Sequence, residues 1–232
     1  MKKAICLISG GLDSCTSAFI AKNEGYKIYG LTFNYGQRHK KEIECAKKIA
    51  QSLNIKDHII FDLKLSKIGG SSLVDKSKKI EINHNLKDIG KIIPSTYVPA
   101  RNIIFLSIAL AYAEANDADA IFIGATATDY AGYPDCRPEF FKSFQKTINL
   151  GTKKGIEGKE IQIKTPLINL SKAEIIKKGF ELNAPFEKTW SCYKGNKKAC
   201  GRCDSCLLRL KGFKEANIKD KIEYEELPKW YK

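Results

Sequence analysis

The alternation of strand-like and helix-like segments constrains the fold of this chain more than any other feature. Strand patterns at 3–9, 27–34, 57–62, 118–124 and 160–165 alternate with helix patterns at 14–23, 40–53, 102–115, 138–150 and 171–179. This repeat predicts an α/β fold, a doubly wound parallel sheet with helices on both faces. Ligands of such sheets bind outside the carboxyl ends of the strands.

The domain organisation follows from the length and from a change in composition near residue 185. A chain of 232 residues is long enough for one α/β domain with a small appendage. From residue 185 onward the sequence is rich in cysteine and lysine and looks loop-like. We therefore expect residues 1–184 to form the α/β domain and residues 185–232 a C-terminal region packed on it. The last helix pattern before this region begins with Ser171 as a cap and Glu174 three residues later, and we expect Gly179 to end it.

A glycine pair connects the first strand pattern to the first helix pattern, in the sequence Ser9-Gly10-Gly11-Leu12-Asp13-Ser14. A helix N-terminus presents unpaired N–H groups, and glycine lets the backbone approach an anion closely. The two serines add hydroxyl donors. The sequence lacks both the G-x-x-x-x-G-K-[ST] and the G-x-G-x-x-G spacing. It predicts a phosphate site of another kind, and the alternative is a tight turn that needs glycine only for its backbone angles.

Four cysteines crowd the C-terminal region, Cys192, Cys200, Cys203 and Cys206. Four thiolates that converge form a tetrahedral metal site, and zinc is the first candidate. An iron–sulfur cluster would need the same thiolates. A closed four-cysteine zinc site has no open coordination position, so we expect a structural role for the metal.

The net charge and the lengths of the apolar runs indicate which ligands and which cellular location to expect. The formal net charge is +14, which suits a polyanionic ligand, but only five of the 40 basic residues are arginines. Because arginine dominates base-reading surfaces, this balance favours phosphate-bearing small molecules over direct nucleic-acid binding. No apolar run approaches the length of a membrane span, and no leader-like segment is visible. We expect a cytoplasmic protein with reduced cysteines and no membrane partner.

The glycine loop resembles the pyrophosphate loop of the ATP pyrophosphatase (PP-loop) family. Further stretches resemble one branch of it, the 7-cyano-7-deazaguanine synthase family, over nearly the whole chain. They are NYGQRH at 34–39, VPARN at 98–102, GATATDYAGYPDCRPEF at 124–140 and TWSCYKG leading into the cysteines. One departure is the threonine-rich GATATDY, which weakens any role for Thr126 or Thr128.

The resemblance implies a reaction and its cofactors. 7-Carboxy-7-deazaguanine, ammonia and ATP would give the nitrile, through adenylated carboxylate and amide intermediates, as a step of queuosine biosynthesis. The enzyme would be an adenylating carbon–nitrogen ligase that uses Mg²⁺ and a structural Zn²⁺. The resemblance also implies a homodimer.

The family's ATP site, carried onto this chain, covers the loop and the first helical turns: Ile8, Ser9, Gly10, Gly11, Leu12, Asp13, Ser14, Cys15, Thr16, Ser17 and Ala18. Asp13 would hold Mg²⁺ against the phosphates. Arg101 and Asp135 are the other candidate catalytic residues. The 129–137 loop would line the base pocket, with candidate substrate contacts from Asp129, Tyr130, Tyr133, Asp135 and Arg137. Lys172, at a helix start, is a further candidate for phosphate.

Two other functions remain open on the sequence alone. A PP-loop tRNA-thiolating enzyme would use the cysteines for an iron–sulfur cluster. A zinc-ribbon RNA-binding protein would carry the cysteines on an inert α/β scaffold and would not need the glycine loop.

Overall fold

The strands form one parallel sheet. The computed structural model describes residues 1–38, 40–75, 77–80, 82, 86, 89, 92–126 and 132–231. Within these ranges the strands are β1 (Lys3–Leu7), β2 (Lys27–Asn34), β3 (His58–Asp62), β4 (Ala120–Phe122) and β5 (Gln162–Lys164). Their order across the sheet is β3-β2-β1-β4-β5, and every neighbouring pair is parallel. The predicted α/β class is confirmed.

Helices cover both faces of this sheet. They are α1 (Leu12–Asn23), α2 (Lys41–Ser52), α3 (Arg101–Ala115), α4 (Pro138–Gly151), α5 (Lys153–Ile156), α6 (Lys172–Glu181) and α7 (Asp204–Ala216). One apolar core joins α1 and α2 to β1 and β4 through residues such as Ala18, Ile49 and Phe122. The core on the opposite face joins α3 and α4 to the sheet through residues such as Leu106 and Ile148. None of the described helices is long and apolar enough to cross a membrane.

The strand order places a crevice above the centre of the sheet. The chain moves from β1 outward to β2 and β3, then returns to the other side of β1 for β4 and β5. The carboxyl ends of β1 and β4 therefore meet where the order reverses, which is the binding position in this class of sheet. Gly124 follows β4 there. A Cβ atom on it would lie 2.8 Å from the Ser14 backbone nitrogen, so glycine lets the end of β4 touch the start of α1.

The structure corrects two expectations about the last third of the chain. The capping box of Ser171 and Glu174 is present, but α6 continues through Gly179 to Glu181. Gly179 is needed for packing, because a Cβ atom there would lie 2.3 Å from the Phe186 ring. The region after residue 185 is also less loop-like than expected, since it contains the 13-residue helix α7.

A buried ion pair holds this C-terminal region together. The Arg209 guanidinium on α7 donates to both carboxylate oxygens of Asp220, at 2.7 and 2.9 Å. It also donates to the Thr189 hydroxyl and the Phe186 carbonyl. One side chain thus ties α7 to the segment before Cys192 and to the C-terminal tail. The predicted division of the chain at residue 184 stays a prediction.

Candidate active site and metal centre

A cavity of about 260 Å³ opens at the carboxyl ends of β1, β2 and β4. Its walls combine the glycine loop (Ser9, Gly11, Asp13 and Ser14) with Arg101 at the start of α3. Apolar side chains of the strands and of α3 form the floor, among them Leu31, Phe33, Phe105 and Ile123. The cavity therefore offers an apolar surface for a ring beside polar groups for an anion.

The glycine loop is held on two sides. Gly10 has φ +89, and a Cβ atom on it would lie 2.1 Å from the Glu42 carbonyl oxygen at the start of α2. Its own carbonyl accepts a hydrogen bond of 2.8 Å from the Trp190 backbone N–H. Inside the loop, the Ser14 hydroxyl donates to the Gly11 carbonyl and accepts from the Ser9 N–H. The loop is thus fixed before any ligand arrives.

Gly11 differs from Gly10 because a Cβ atom on it would make only ordinary van der Waals contacts. The nearest atoms to a Cβ atom there would be the Ser9 hydroxyl at 3.4 Å and the Trp190 carbonyl at 3.8 Å. Gly11 is the N-cap of α1, so the free N–H groups of the first turn follow it. This is the arrangement expected of an anion cradle, in which a side chain would fill the space that the ligand needs.

Asp13 and Lys172 form a close ion pair beside the loop. The Lys172 ammonium lies 2.7 and 2.8 Å from the two Asp13 carboxylate oxygens. Gly212 on α7 makes room for the lysine, because a Cβ atom there would lie 2.4 Å from Lys172 Cγ. The structure thus brings a carboxylate suited to Mg²⁺ and a cation suited to phosphate to the same point.

Arg101 brings a permanent positive charge to the same cavity. Burial alone would lower the pKa of its guanidinium, but the Tyr35 phenol, the Tyr133 phenol and the Asp135 carboxylate raise it, and the net shift is upward. Tyr35 lines the same cavity as Arg101. The residue before Arg101, Ala100, has φ 53, a left-handed conformation that turns the chain into α3. The turn places Arg101 at the mouth of the sheet crevice.

The predicted substrate residues take different positions. Tyr133 lines the cavity, with its hydroxyl 3.2 Å from that of Thr96. Asp135 is buried, and its Oδ2 accepts a 2.8 Å hydrogen bond from the Asn102 N–H at the start of α3. Arg137 is exposed at the N-cap of α4, away from the cavity lining. Asp129 and Tyr130 lie outside the described residues, as does Thr128.

The sequence reasoning missed a half-buried acid, Glu42. Its side chain lines the cavity, and burial raises its pKa to about 7, although Arg101 acts in the opposite direction. Tyr35 and Asn102 also line the cavity. Tyr35 belongs to the NYGQRH stretch and Asn102 to the VPARN stretch, but neither stretch indicated which of its side chains face the cavity.

Cys15 and Cys136 are both buried, and burial raises the pKa of Cys15 to about 12, so Cys15 is not an activated thiolate.

The four cysteines of the C-terminal region converge as predicted. Their sulfur atoms all lie within 4.8 Å of one another, and the pair Cys200–Cys206 is 4.0 Å apart. A tetrahedral zinc site with bonds of about 2.3 Å needs sulfur–sulfur distances of about 3.8 Å. Backbone N–H groups donate to two of the sulfur atoms, those of Arg202 and Cys203 to Cys200 Sγ and that of Cys200 to Cys192 Sγ. The donor set therefore fits a thiolate-bound metal.

The basic residues near these cysteines are partly neutralised by acids. Lys198 pairs with Glu223 at 3.3 Å, and Arg202 pairs with Glu226 at 3.5 Å. Both acids belong to the C-terminal tail, which bridges to Ala199 by backbone hydrogen bonds. These two ion pairs therefore connect the C-terminal tail to the loops that carry the cysteines.

Comparison with known proteins decides the family. Residues 3–217 match the model of the queuosine biosynthesis protein QueC. The chain belongs to the QueC family. Among curated relatives, the 7-cyano-7-deazaguanine synthase of Acetivibrio thermocellus is 58% identical over 97% of this chain and 99% of its own length. The 7-cyano-7-deazaguanine synthase 2 of Desulfitobacterium hafniense is 55% identical over 97% of this chain and 94% of its own. The 7-cyano-7-deazaguanine synthase of Picrophilus torridus is 54% identical over 100% and 95%. As a QueC-family member related to synthases over its whole length, the chain is an ATP-utilising enzyme.

Proposed function

We propose that the chain converts 7-carboxy-7-deazaguanine and ammonia to 7-cyano-7-deazaguanine, with ATP as the activating substrate. One observation carries the proposal beyond family membership. The glycine loop, Asp13 and Arg101 line a single cavity at the switch point of the sheet. An anion cradle and a half-buried cation therefore lie where a triphosphate and a carboxylate must meet.

The first half of the reaction makes the carboxylate a better electrophile. A carboxylate oxygen attacks the α-phosphorus of ATP, and the bond to pyrophosphate breaks. The resulting acyl adenylate is attacked at its acyl carbon by the ammonia nitrogen. The C–O bond to AMP breaks with its electron pair on AMP, and the surplus nitrogen proton goes to water, which leaves the primary amide.

The second half repeats the activation on the amide. The amide oxygen attacks the α-phosphorus of a second ATP and releases pyrophosphate. Loss of AMP takes that oxygen away, and both nitrogen protons leave as the C≡N bond forms. One cradle serves both halves, because each needs the same alignment of an oxygen with the α-phosphorus.

The chain's own residues supply position and charge. The N–H groups of the first α1 turn and the hydroxyls of Ser9 and Ser14 would hold phosphate oxygens. Lys172 would move from Asp13 to the charge that develops on the departing pyrophosphate. Arg101 would bind the substrate carboxylate and hold it toward the α-phosphate. Such preorganised charges are the main source of rate in phosphoryl and nucleotidyl transfer.

Two metal ions complete the proposal. Mg²⁺ would take a carboxylate oxygen of Asp13 as a ligand, and when bound it supplies charge neutralisation for the triphosphate. Zn²⁺ would be held by Cys192, Cys200, Cys203 and Cys206, and its role is to cross-link the loops of the C-terminal region. The geometry of four buried thiols with no open position supports a structural site.

The remaining parts of the proposal concern the setting of the enzyme. It acts in the cytoplasm as a homodimer on small molecules, without direct contact to nucleic acid. The enzyme class is that of an adenylating carbon–nitrogen ligase. The four-cysteine site would also suit an iron–sulfur cluster in a tRNA-thiolating enzyme, so the assay includes tRNA as a second substrate.

The test is a mass-spectrometric assay of the purified protein. 7-Carboxy-7-deazaguanine, ATP, Mg²⁺ and ammonium are mixed with the protein, and the purine and nucleotide products are read together. We expect the nitrile, with two AMP and two pyrophosphate for each nitrile formed. ADP in place of AMP would contradict adenylation. An unchanged purine, with ATP turnover only when tRNA is present, would overturn the assignment.

A further inference from the structure

Trp190 lies between the cysteine site and the glycine loop and contacts both. It is buried, with 4% of its surface exposed. Its backbone N–H donates to the Gly10 carbonyl at 2.8 Å, and its indole Nε1–H donates to the Cys192 carbonyl at 2.8 Å. Only one residue separates it from the first cysteine of the metal site. The Cys192 carbonyl therefore fixes the position of the indole, while the Trp190 backbone N–H holds the glycine loop.

The bond to Gly10 sets the direction of a functional N–H group. A trans peptide is planar, so its carbonyl and its N–H point in opposite directions. Because the Gly10 carbonyl points to Trp190, the Gly11 N–H of the same peptide points away from Trp190, toward the Ser9 hydroxyl at 3.3 Å. Ser9 and Gly11 both line the cavity. A peptide between two glycines rotates easily, so its orientation depends on these two hydrogen bonds, of which the one from Trp190 is the shorter.

A second set of contacts joins Trp190 to the loop that contains the cysteines, through Lys41, the first residue of α2. Its ammonium lies 3.4 Å from the centre of the Trp190 ring and donates to the carbonyls of Asn196 and Lys197. These two carbonyls belong to the loop between Cys192 and Cys200. The next residue, Glu42, packs its carbonyl against Gly10. The loop that a metal would order is thus clamped to both sides of Gly10.

We propose that metal binding at the four cysteines orients the Gly10–Gly11 peptide through Trp190, and so tightens the binding of ATP. The inference rests on the proposed ATP site but goes beyond it. It gives the C-terminal metal a measurable effect on nucleotide affinity, and it makes Trp190 a positioning residue. Without the metal, the segment 191–200 loses its cross-link, the indole loses its fixed acceptor at Cys192, and the Gly11 N–H is free to turn away from the cavity.

The chain's two tryptophans allow a direct test. Trp230→Phe leaves Trp190 as the sole indole fluorophore, and Trp190→Phe keeps the backbone hydrogen bond to Gly10 while it removes the Nε1–H donor. ATP·Mg²⁺ is titrated into the zinc-loaded full-length protein and into the same protein after chelation, with circular dichroism as a check of folding. Affinity is measured by calorimetry and by the emission of Trp190.

In the Trp230→Phe protein, we expect chelation to shift the Trp190 emission to the red and to raise the Kd for ATP about tenfold, the effect of one charge-assisted hydrogen bond. Re-addition of Zn²⁺ should reverse both changes. In zinc-loaded protein, Trp190→Phe should raise the Kd about three- to tenfold at an unchanged zinc content, whereas Trp230→Phe should leave it unchanged.

The outcomes separate the two proposals. If zinc-loaded wild-type protein binds no ATP, the proposed function fails. If it binds ATP and the Kd is the same in folded metal-free protein, or in zinc-loaded Trp190→Phe, then the coupling is overturned while the function stands. Should the metal-free protein unfold, the Trp190→Phe titration decides the question alone.

Discussion

The Lys172 ammonium lies 2.7 Å from one oxygen of the Asp13 carboxylate and 2.8 Å from the other. The pair joins residues 159 positions apart, one in the first turn of α1 and the other in the first turn of α6. In the proposed reaction both groups would act elsewhere once a magnesium nucleotide binds, the acid at the metal and the amine at the phosphates. Their pairing compensates both charges.

This relationship predicts a specific loss for Lys172→Gln. The variant should keep its fold, because the lysine is partly exposed and its removal leaves Asp13 in reach of water. It should lower kcat by about a hundredfold, the cost of one missing charge at a transition state. Lys178→Gln is the matched control, since Lys178 lies on the same helix and pairs with the exposed Glu181. Equal kcat values for the two variants would contradict the role of Lys172.

The adjacent glycines of the loop should respond differently to alanine. Gly10→Ala forces a Cβ atom to within 2.1 Å of the Glu42 carbonyl at φ +89, so we expect it to cost at least about 2 kcal/mol of unfolding free energy. Gly11→Ala meets nothing closer than 3.4 Å, and it should change stability by less than about 1 kcal/mol.

For ATP binding, in contrast to stability, we expect Gly11→Ala to have the larger effect of the two variants. In Gly11→Ala the new methyl group occupies the cradle, so the Kd for ATP should rise at least tenfold while the urea midpoint hardly moves. Thermal and urea unfolding together with ATP calorimetry check this. A Gly11→Ala protein that binds ATP as the wild type does would show that the phosphates lie elsewhere.

The sequence predicted the sheet and the two ligand-binding segments better than the side chains that face the cavity. β2 matches its predicted range of 27–34, because a continuous run of residues buried on both faces is typical of an inner strand of a parallel sheet. The four cysteines were predicted to converge from their spacing alone, since four thiols so close in sequence are typical of a metal site. Local pattern was sufficient in both cases.

Gly179, Trp190 and Glu42 show why the rest could not be predicted. A glycine often ends a helix, but Gly179 lies inside α6, because a side chain at this position would clash with the ring of Phe186. The partners of Trp190 are 180 residues away at Gly10 and two residues away at Cys192. Glu42 is a carboxyl group on an amphipathic helix, and nothing in the sequence distinguishes it from the exposed Glu44. Each role depends on contacts between distant segments.

Glu42 should make the stability depend on pH. Burial raises the pKa of its carboxyl from 4.5 to about 7 in the folded protein. Between these values the folded state binds more protons than the unfolded state, so this group's contribution falls as the pH rises from 4.5 through 7. The glutamine of Glu42→Gln is neutral, so this variant does not lose stability through ionisation as the pH rises. Relative to wild type, it should be more stable at pH 8 by about 1 kcal/mol, after allowance for solvent screening, and by much less at pH 5.

Urea unfolding at both pH values measures this difference, with Glu44→Gln as the control from the same helix turn. Glu44 is exposed, so its variant should follow the wild type at both pH values. If Glu42→Gln is less stable than wild type at pH 8, the carboxylate is stabilised where it lies, and the assigned effect of burial is wrong.

The buried pair of Arg209 and Asp220 should dominate the stability of the C-terminal region. The guanidinium and carboxylate side chains are 2% and 1% exposed, and removal of one partner leaves the other charge buried. Arg209→Ala should therefore cost about 3–5 kcal/mol, while Arg202→Ala, which breaks a surface pair with Glu226, should cost less than about 1 kcal/mol. Comparable losses in the two variants would mean that Asp220 finds water or another partner.

Asp135 allows a test of two roles for one carboxyl group. Its Oδ2 accepts from the Asn102 N–H and so fixes the first turn of α3, next to Arg101. The predicted contact with the guanine-like edge of the substrate would need the negative charge as well. Asp135→Asn keeps an oxygen acceptor for Asn102, whereas Asp135→Ala removes it at a cost of about 1 kcal/mol, as for other N-terminal caps.

If positioning of α3 is the main role, Asp135→Asn should retain kcat and KM within about threefold, and Asp135→Ala should lower kcat/KM at least tenfold because Arg101 loses its support. Steady-state kinetics with 7-carboxy-7-deazaguanine as the varied substrate separates the two. A large rise in the KM of Asp135→Asn for this substrate alone would show that the carboxylate binds the base directly, since an amide oxygen already satisfies Asn102.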